Sequence, residues 1–146
     1  MHLSASLPNI CTAFLAIQTS GHAHPEVYRR VIGHFDYVMQ DIKLADPVRH
    51  REYTGVDNGW ILQNVEYLKH SGKDFVFRVP LIPDITDTEE NLRAIAEIAG
   101  DAPVELLRYN SLAGAKYDTF GMTYLLSDRV NREQDFTAYF RNARMA

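Results

Sequence analysis

The sequence holds a single cysteine, Cys11, so no internal disulfide can form and a reducing, cytoplasmic setting is the expectation. No apolar run approaches the roughly 20 residues of a membrane span. The N-terminus also lacks the basic start and long apolar middle of a signal peptide. Positive charge is scarce: 15 Lys and Arg stand against 19 Asp and Glu, a formal net charge of −4. With no concentrated basic stripe, that balance argues against a nucleic-acid partner. At 146 residues the chain can build one domain with a real core, but it falls short of an eight-unit barrel of about 250 residues.

What the chain does have is an alternation of short apolar runs with amphipathic segments. Phe14 to Ile17, Tyr37 to Met39, Phe75 to Pro83 and Val104 to Tyr109 read as strands. Between them, Thr88 to Ala99 places Leu92, Ile95, Ala96 and Ala99 on one helical face. Thr86 with Glu89 reads there as a capping box and Gly100 as the stop. Asn58 to Ser71 repeats the pattern with Ile61, Leu62, Val65 and Leu68, and Pro25 to His34 is a shorter helix with Pro25 in its first turn. A further helix is expected before the first strand, around Leu7 to Ala13. Strand–helix–strand at this spacing implies parallel strands joined by right-handed crossovers. The expected fold is α/β, a partial (β/α) TIM-like barrel of about four units, with residues 1–146 as one domain forming the later part of a larger barrel. The tail from Ser127, with Arg129, Arg132, Arg141 and Arg144, reads as a solvated terminal helix over 127–146.

In parallel α/β sheets, chemistry collects at the C-terminal ends of the strands. That picks out Gln18 to Gly21, Asp41 and Lys43, Arg78, and Tyr109 with Asn110. Asp41 and Lys43 are alternate residues, so both side chains fall on one face. A buried pair of this kind needs each other or a ligand. Arg78, among Phe77, Val79 and Pro80, offers a fork of donors suited to a carboxylate, or an ion pair to Asp41 or Glu105. His22 and His24 have no third ligand nearby and read as loop residues. His50 with Asp46 reads as a loop-ordering pair.

At these positions the chain resembles the glycyl-radical-enzyme activating enzymes, radical S-adenosylmethionine (SAM) enzymes typified by pyruvate formate-lyase activase. The matching segments are Gln18-Thr19-Ser20-Gly21, Met39-Gln40-Asp41-Ile42-Lys43, Asp46 with His50, Thr54-Gly55 and Asn58. They continue through Arg78-Val79-Pro80-Leu81-Ile82-Pro83, Asn91, Glu105-Leu106-Leu107-Arg108-Tyr109-Asn110, Lys116-Tyr117 and Gly121. The resemblance covers about Leu15 to Tyr124. It implies a partial barrel binding SAM and a [4Fe–4S] cluster, with a 5′-deoxyadenosyl radical taking a hydrogen atom from a glycine of a partner such as pyruvate formate-lyase. A flavodoxin- or ferredoxin-type protein would be the electron donor. It also implies SAM-binding roles for Thr19, Asp41, Lys43, Arg78 and Asn110, and a cation site of Gln18, Thr19, Met39 and Asp41. Lys116 and Tyr117 would close the barrel mouth or touch the partner's glycine loop.

The departures are specific. The family's Cys-x3-Cys-x2-Cys cluster loop does not occur in these residues, so the chain ligates no cluster and is expected to be inactive in isolation. Gln18 stands where the family is usually acidic, Asn110 where it often has His, and Arg108 where Pro is common. Two other readings compete. One is an ordinary TIM-like barrel enzyme with Lys43 as a Schiff-base nucleophile and Asp41 as its acid/base partner. The other is a non-catalytic module that oligomerises through exposed strand edges.

Overall fold

The computed structural model describes residues 13–110 and 129–146. Cys11, most of the helix expected before the first strand, and Lys116, Tyr117 and Gly121 lie outside them. Among the described residues five strands form one parallel sheet, ordered β1 (Ala16–Thr19), β2 (Tyr37–Asp41), β3 (Asp74–Leu81), β4 (Val104–Arg108) and β5 (Ala143–Met145). Helix α1 (Pro25–Ile32) connects β1 to β2. Helices α2 (Pro47–Thr54) and α3 (Gly59–Lys69) connect β2 to β3, and α4 (Glu89–Ala99) connects β3 to β4. The fold is the expected α/β partial barrel wall, one strand wider.

The core follows from two periodicities meeting. Val38 of β2, Phe77, Val79 and Leu81 of β3, and Val104 and Leu106 of β4 alternate along their strands onto one face. They pack against Tyr28 and Ile32 of α1, Ile61, Val65 and Leu68 of α3, and Leu92, Ile95 and Ala99 of α4. The residues that alternate with the strand set belong to the opposite face. There the apolar run is broken by Asp41, Arg78 and Glu105, which a parallel strand buried in apolar surroundings on both faces would not carry.

Three expectations are corrected. The N-cap of α4 is Thr88, whose side chain accepts from the Asn91 N–H at 3.4 Å. Thr86 is spent elsewhere: 1% exposed, its hydroxyl accepts from the Ile82 N–H at 2.7 Å and donates to the Pro80 carbonyl. Thr88→Ala should therefore cost up to about 1 kcal/mol, read by urea unfolding; a larger loss would mean that Thr88 does more than cap. Helix α2 is new, flanked by Asp46, which caps the Arg49 N–H at 2.7 Å, and by Gly55 at φ 84°. It buries only His50, so no apolar stripe announces it.

The third correction is the tail. Its described part, 129–146, contains a short 3-10 helix (Phe136–Tyr139) and then β5, which pairs with β4. Phe136 is buried, and Tyr139, Phe140, Ala143 and Met145 pack against the core. The arginines that suggested a solvated helix each meet an acid from the body of the domain: Arg129–Asp84 at 3.2 Å, Arg132–Asp87 at 3.5 Å, Arg141–Asp101 at 3.1 Å and Arg144–Glu105 at 3.0 Å. The open edge of β4 and these acids, both supplied by tertiary structure, outweigh helical propensity.

Candidate functional site

The ladder register aligns the charges. Asp41 lies opposite Arg78, Arg78 opposite Glu105, and Glu105 opposite Arg144. Four strands thus present acid, base, acid, base in one row on the face turned away from the core. Arg144 holds Glu105 with two hydrogen bonds of 3.0 and 3.2 Å to the same carboxylate oxygen. The other oxygen of Glu105 lies 3.5 Å from Arg78 Nε, an ion-pair contact that forms no hydrogen bond, so Arg78 Nε is buried without a hydrogen-bond partner. Asp41 ends β2, and Lys43, two residues past it, returns to bind Asp41 Oδ2 at 3.1 Å. Asp41 Oδ1 is likewise buried with no partner. An orphaned carboxylate oxygen and an orphaned guanidinium nitrogen in neighbouring register positions are costly unless a ligand completes them.

Beside this row lies a cavity of about 280 Å³ lined by Ser20, His22, Asp41, Lys43, His50, Thr54, Val56 and Ile61. A wider cleft of about 690 Å³ shares His22 and Val56 with it and extends past Trp60. The rings of His22 and His24 lie 5.6 and 5.8 Å from that of Trp60. At the cleft wall the Gly59 N–H, and then Arg51, hold the Asp57 carboxyl below its ordinary value.

Other expected site residues are placed as follows. Gln18 pairs with Met39 across β1 and β2, and both share the face of Asp41. Thr19 pairs with Gln40 and so belongs to the opposite face; its hydroxyl accepts from the Gly21 N–H at 3.0 Å. Of the expected cation-site residues, the side chains of Gln18 and Asp41 therefore share a face and that of Thr19 is turned away, while Met39 enters that expectation through its backbone carbonyl. Asn110 is exposed just past β4, next to Tyr109, whose backbone N–H and carbonyl are both bonded by the Asn131 side chain at 2.9 and 2.8 Å. His50 bonds through Nδ1 to the Val56 carbonyl at 2.7 Å rather than pairing with the Asp46 side chain, because Asp46 is engaged as the cap of α2.

Sequence reasoning assigned no role to a set of buried amides that tie the strand-end loops to the helices. Gln40, fully buried, accepts from the Tyr28 hydroxyl, whose burial pushes that phenol far above its ordinary value. Asn64 donates at 2.9 Å to both the Gly21 and Ala23 carbonyls. Asn58 and Asn91 bind the segment after β2. For Asn64 and Asn91 the sequence signal is polarity within an amphipathic helix, as at Asn64 between Ile61 and Val65.

No protein-family model matches the chain. Among curated proteins it is 37% identical over 101 residues to the indoleacetate decarboxylase activating enzyme of Tractidigestivibacter scatoligenes, covering 66% of this chain and 32% of that one. It is 36% identical over 124 residues to the trans-4-hydroxy-L-proline dehydratase activating enzyme of Clostridioides difficile, covering 80% and 41%. Against the isethionate sulfite-lyase activating enzyme of Oleidesulfovibrio alaskensis the identity is 34% over 127 residues, covering 84% and 41%. Among solved structures, a domain of the pyruvate-formate lyase-activating enzyme from Bacteroides vulgatus superposes with a TM-score of 0.68, covering 90% of this chain and 80% of that one. At 19% identity it supports the fold alone. The chain spans a third to two fifths of the length of these curated relatives, and over that stretch it belongs to the glycyl-radical-enzyme activating enzymes.

Proposed function

We propose that these residues form the SAM-facing wall of a radical SAM activating enzyme that installs a radical on a glycine of a partner enzyme. The carrying observation is the pair of orphaned groups, Asp41 Oδ1 and Arg78 Nε, in adjacent register positions. SAM ends in an α-ammonium and an α-carboxylate, and this row offers both complements. Asp41 would take the ammonium, and Lys43 with Arg78 the carboxylate, through charge-assisted hydrogen bonds. Gln18 and Met39 share that face and would border a cation near the carboxylate, although a neutral amide is a weaker oxygen donor than an acid. Asn110 would serve the adenosine end. Bound SAM would supply the one-electron chemistry that removes the glycine hydrogen; the residues described here bind and orient it.

The cluster does not fit these residues. A [4Fe–4S] centre is held by Cys thiolates, the sequence carries one Cys, and among the described residues no group of three His, Cys, Asp or Glu could hold a metal ion. Thiolates from outside these 146 residues are needed for the reaction. The partner is a glycyl radical enzyme, with pyruvate formate-lyase one candidate beside the decarboxylase, dehydratase and sulfite-lyase for which the relatives are named. A flavodoxin- or ferredoxin-type donor would supply the electron. No helix of the described residues is long and apolar enough to cross a membrane, and a cytoplasmic location agrees with this chemistry. The contact of Lys43 with Asp41 at 3.1 Å is shared by the Schiff-base reading; the unpartnered Asp41 Oδ1 and Arg78 Nε favour a zwitterionic ligand over it.

Calorimetry of the 146-residue chain with SAM tests the reading. We expect weak binding, with Kd on the order of 0.1–1 mM (about −4 to −5.5 kcal/mol). No heat up to several millimolar SAM would sink the proposal. Anaerobic iron and sulfide reconstitution should give no [4Fe–4S] absorbance, and a stable cluster spectrum would overturn the assignment of its ligands to other residues.

A further inference from the structure

The segment that carries Lys43 leaves the sheet just past Asp41. The Ile42 N–H makes the last rung, donating to the Arg78 carbonyl at 2.8 Å. Beyond it, two buried side-chain amides from different helices take over. Asn91 of α4, 5% exposed, donates through Nδ2 to the Lys43 carbonyl at 3.0 Å and to the Thr86 carbonyl at 2.9 Å. Its Oδ1 accepts from the Ala45 N–H at 2.9 Å. Asn58, the N-cap residue of α3, donates to the carbonyls of Leu44 at 3.0 Å and Ala45 at 2.8 Å. The carbonyls of residues 43, 44 and 45 are thus each bonded by one of two amides. Asn91 holds residue 43 itself, whereas Asn58 holds the two that follow.

We infer that Asn91 is a positioning residue: by holding the Lys43 backbone it directs the Lys43 ammonium to Asp41 and to the anionic end of the ligand. The functional part of this inference rests on the SAM reading above. A long, flexible lysine side chain contributes to binding in proportion to how little freedom it must still lose. Its backbone is the part a rigid helix can fix. Asn91 reaches across 48 residues of sequence to do so, and it ties the loop after β2 to the loop after β3 through Thr86.

A buried amide could equally serve stability alone, so the test separates the two roles. SAM affinity is measured by calorimetry in the wild type, Asn91→Leu, Lys43→Met and the double variant, with Asn58→Leu as comparison and thermal unfolding for each. We expect Asn91→Leu to weaken SAM about tenfold in the wild-type background and less than about twofold when Lys43 is already Met, since coupled residues are non-additive. Its loss of Tm should be the same in both backgrounds, and Asn58→Leu should lower Tm while weakening SAM less. If Asn91→Leu does not fold, Asn91→Ser, which keeps a short hydrogen-bonding group, takes its place. An equal loss of affinity with and without Lys43 would overturn the inference, as would an unchanged affinity in Asn91→Leu.

A second readout needs no SAM. After ¹³C reductive methylation, the Lys43 NMR signal should move in Asn91→Leu toward its position in Asp41→Asn, where the partner charge is gone. If the wild type binds no SAM, or binds it no better than Lys43→Met, the SAM reading falls. The NMR comparison then still decides whether Asn91 directs Lys43, and an unmoved signal counts against it.

Discussion

Asp41→Asn should weaken SAM binding by roughly 10- to 100-fold, the loss of about 1.5–3 kcal/mol expected for a hydrogen bond to a charged group, and yet leave Tm unchanged or slightly raised. The two halves of this result have separate causes. On the SAM reading, binding falls because the carboxylate is the group offered to the ligand's ammonium. Stability does not fall because one oxygen of Asp41 is buried without a hydrogen-bond partner, a cost that the neutral amide reduces. The ion pair that is lost, Asp41 to Lys43, has side chains 19% and 34% exposed. Partly solvated pairs of this kind contribute only about 0–1 kcal/mol. A binding site that keeps a buried hydrogen-bonding atom free for its ligand would trade stability for function in this way. Calorimetry and a thermal melt on the same sample decide it. A Tm lower by several degrees with SAM affinity intact would show Asp41 to be half of a structural ion pair and nothing more.

The second large effect is at Gly21, where the chain turns after β1. Its φ is +71°, and a Cβ placed there would lie 2.5 Å from Gln40 Nε2 and 2.8 Å from Gln40 Cδ. Gln40 cannot step aside, because it is fully buried between the Tyr28 hydroxyl and the Ile61 carbonyl. Gly21→Ala therefore combines left-handed backbone strain of about 1 kcal/mol with overpacking of about 1–3 kcal/mol, for a total of about 2–4 kcal/mol. Gly55 is the control. Its φ is +84° but nothing lies within 4 Å of the position its Cβ would take, so Gly55→Ala should show only the backbone part, about 1 kcal/mol. Urea unfolding of the two variants checks the difference. Equal losses would mean that Gln40 yields and that the loop after β1 is less tightly built than its contacts imply.

The parallel sheet, the three amphipathic helices and the charged strand ends were legible because each rests on local pattern. Leu92, Ile95 and Ala99 declare a helix face whatever they pack against. Asp41, Arg78 and Glu105 stand out against apolar strands before any register is known. Helix α2 was not legible, because its boundaries come from Asp46, Pro47 and Gly55 and its middle carries no stripe. Strand β5 was not legible either, because Ala143 to Met145 becomes a strand only when β4 offers an unpaired edge and Glu105 a partner for Arg144. Gln18-Thr19 looked like one site, yet strand alternation sends the two side chains to opposite faces.

By itself, then, the sequence determined the kind of fold, the charged residues at the strand ends and the family over this stretch, because periodicity, charge and identity are local or linear properties. Only the tertiary structure decided which of those residues share a face, that Asp41 and Arg78 are left with unanswered hydrogen-bonding groups, and that Asn91 holds the backbone of Lys43. Register, burial and contacts across 46 to 48 residues of chain arise from packing, and no local pattern encodes them.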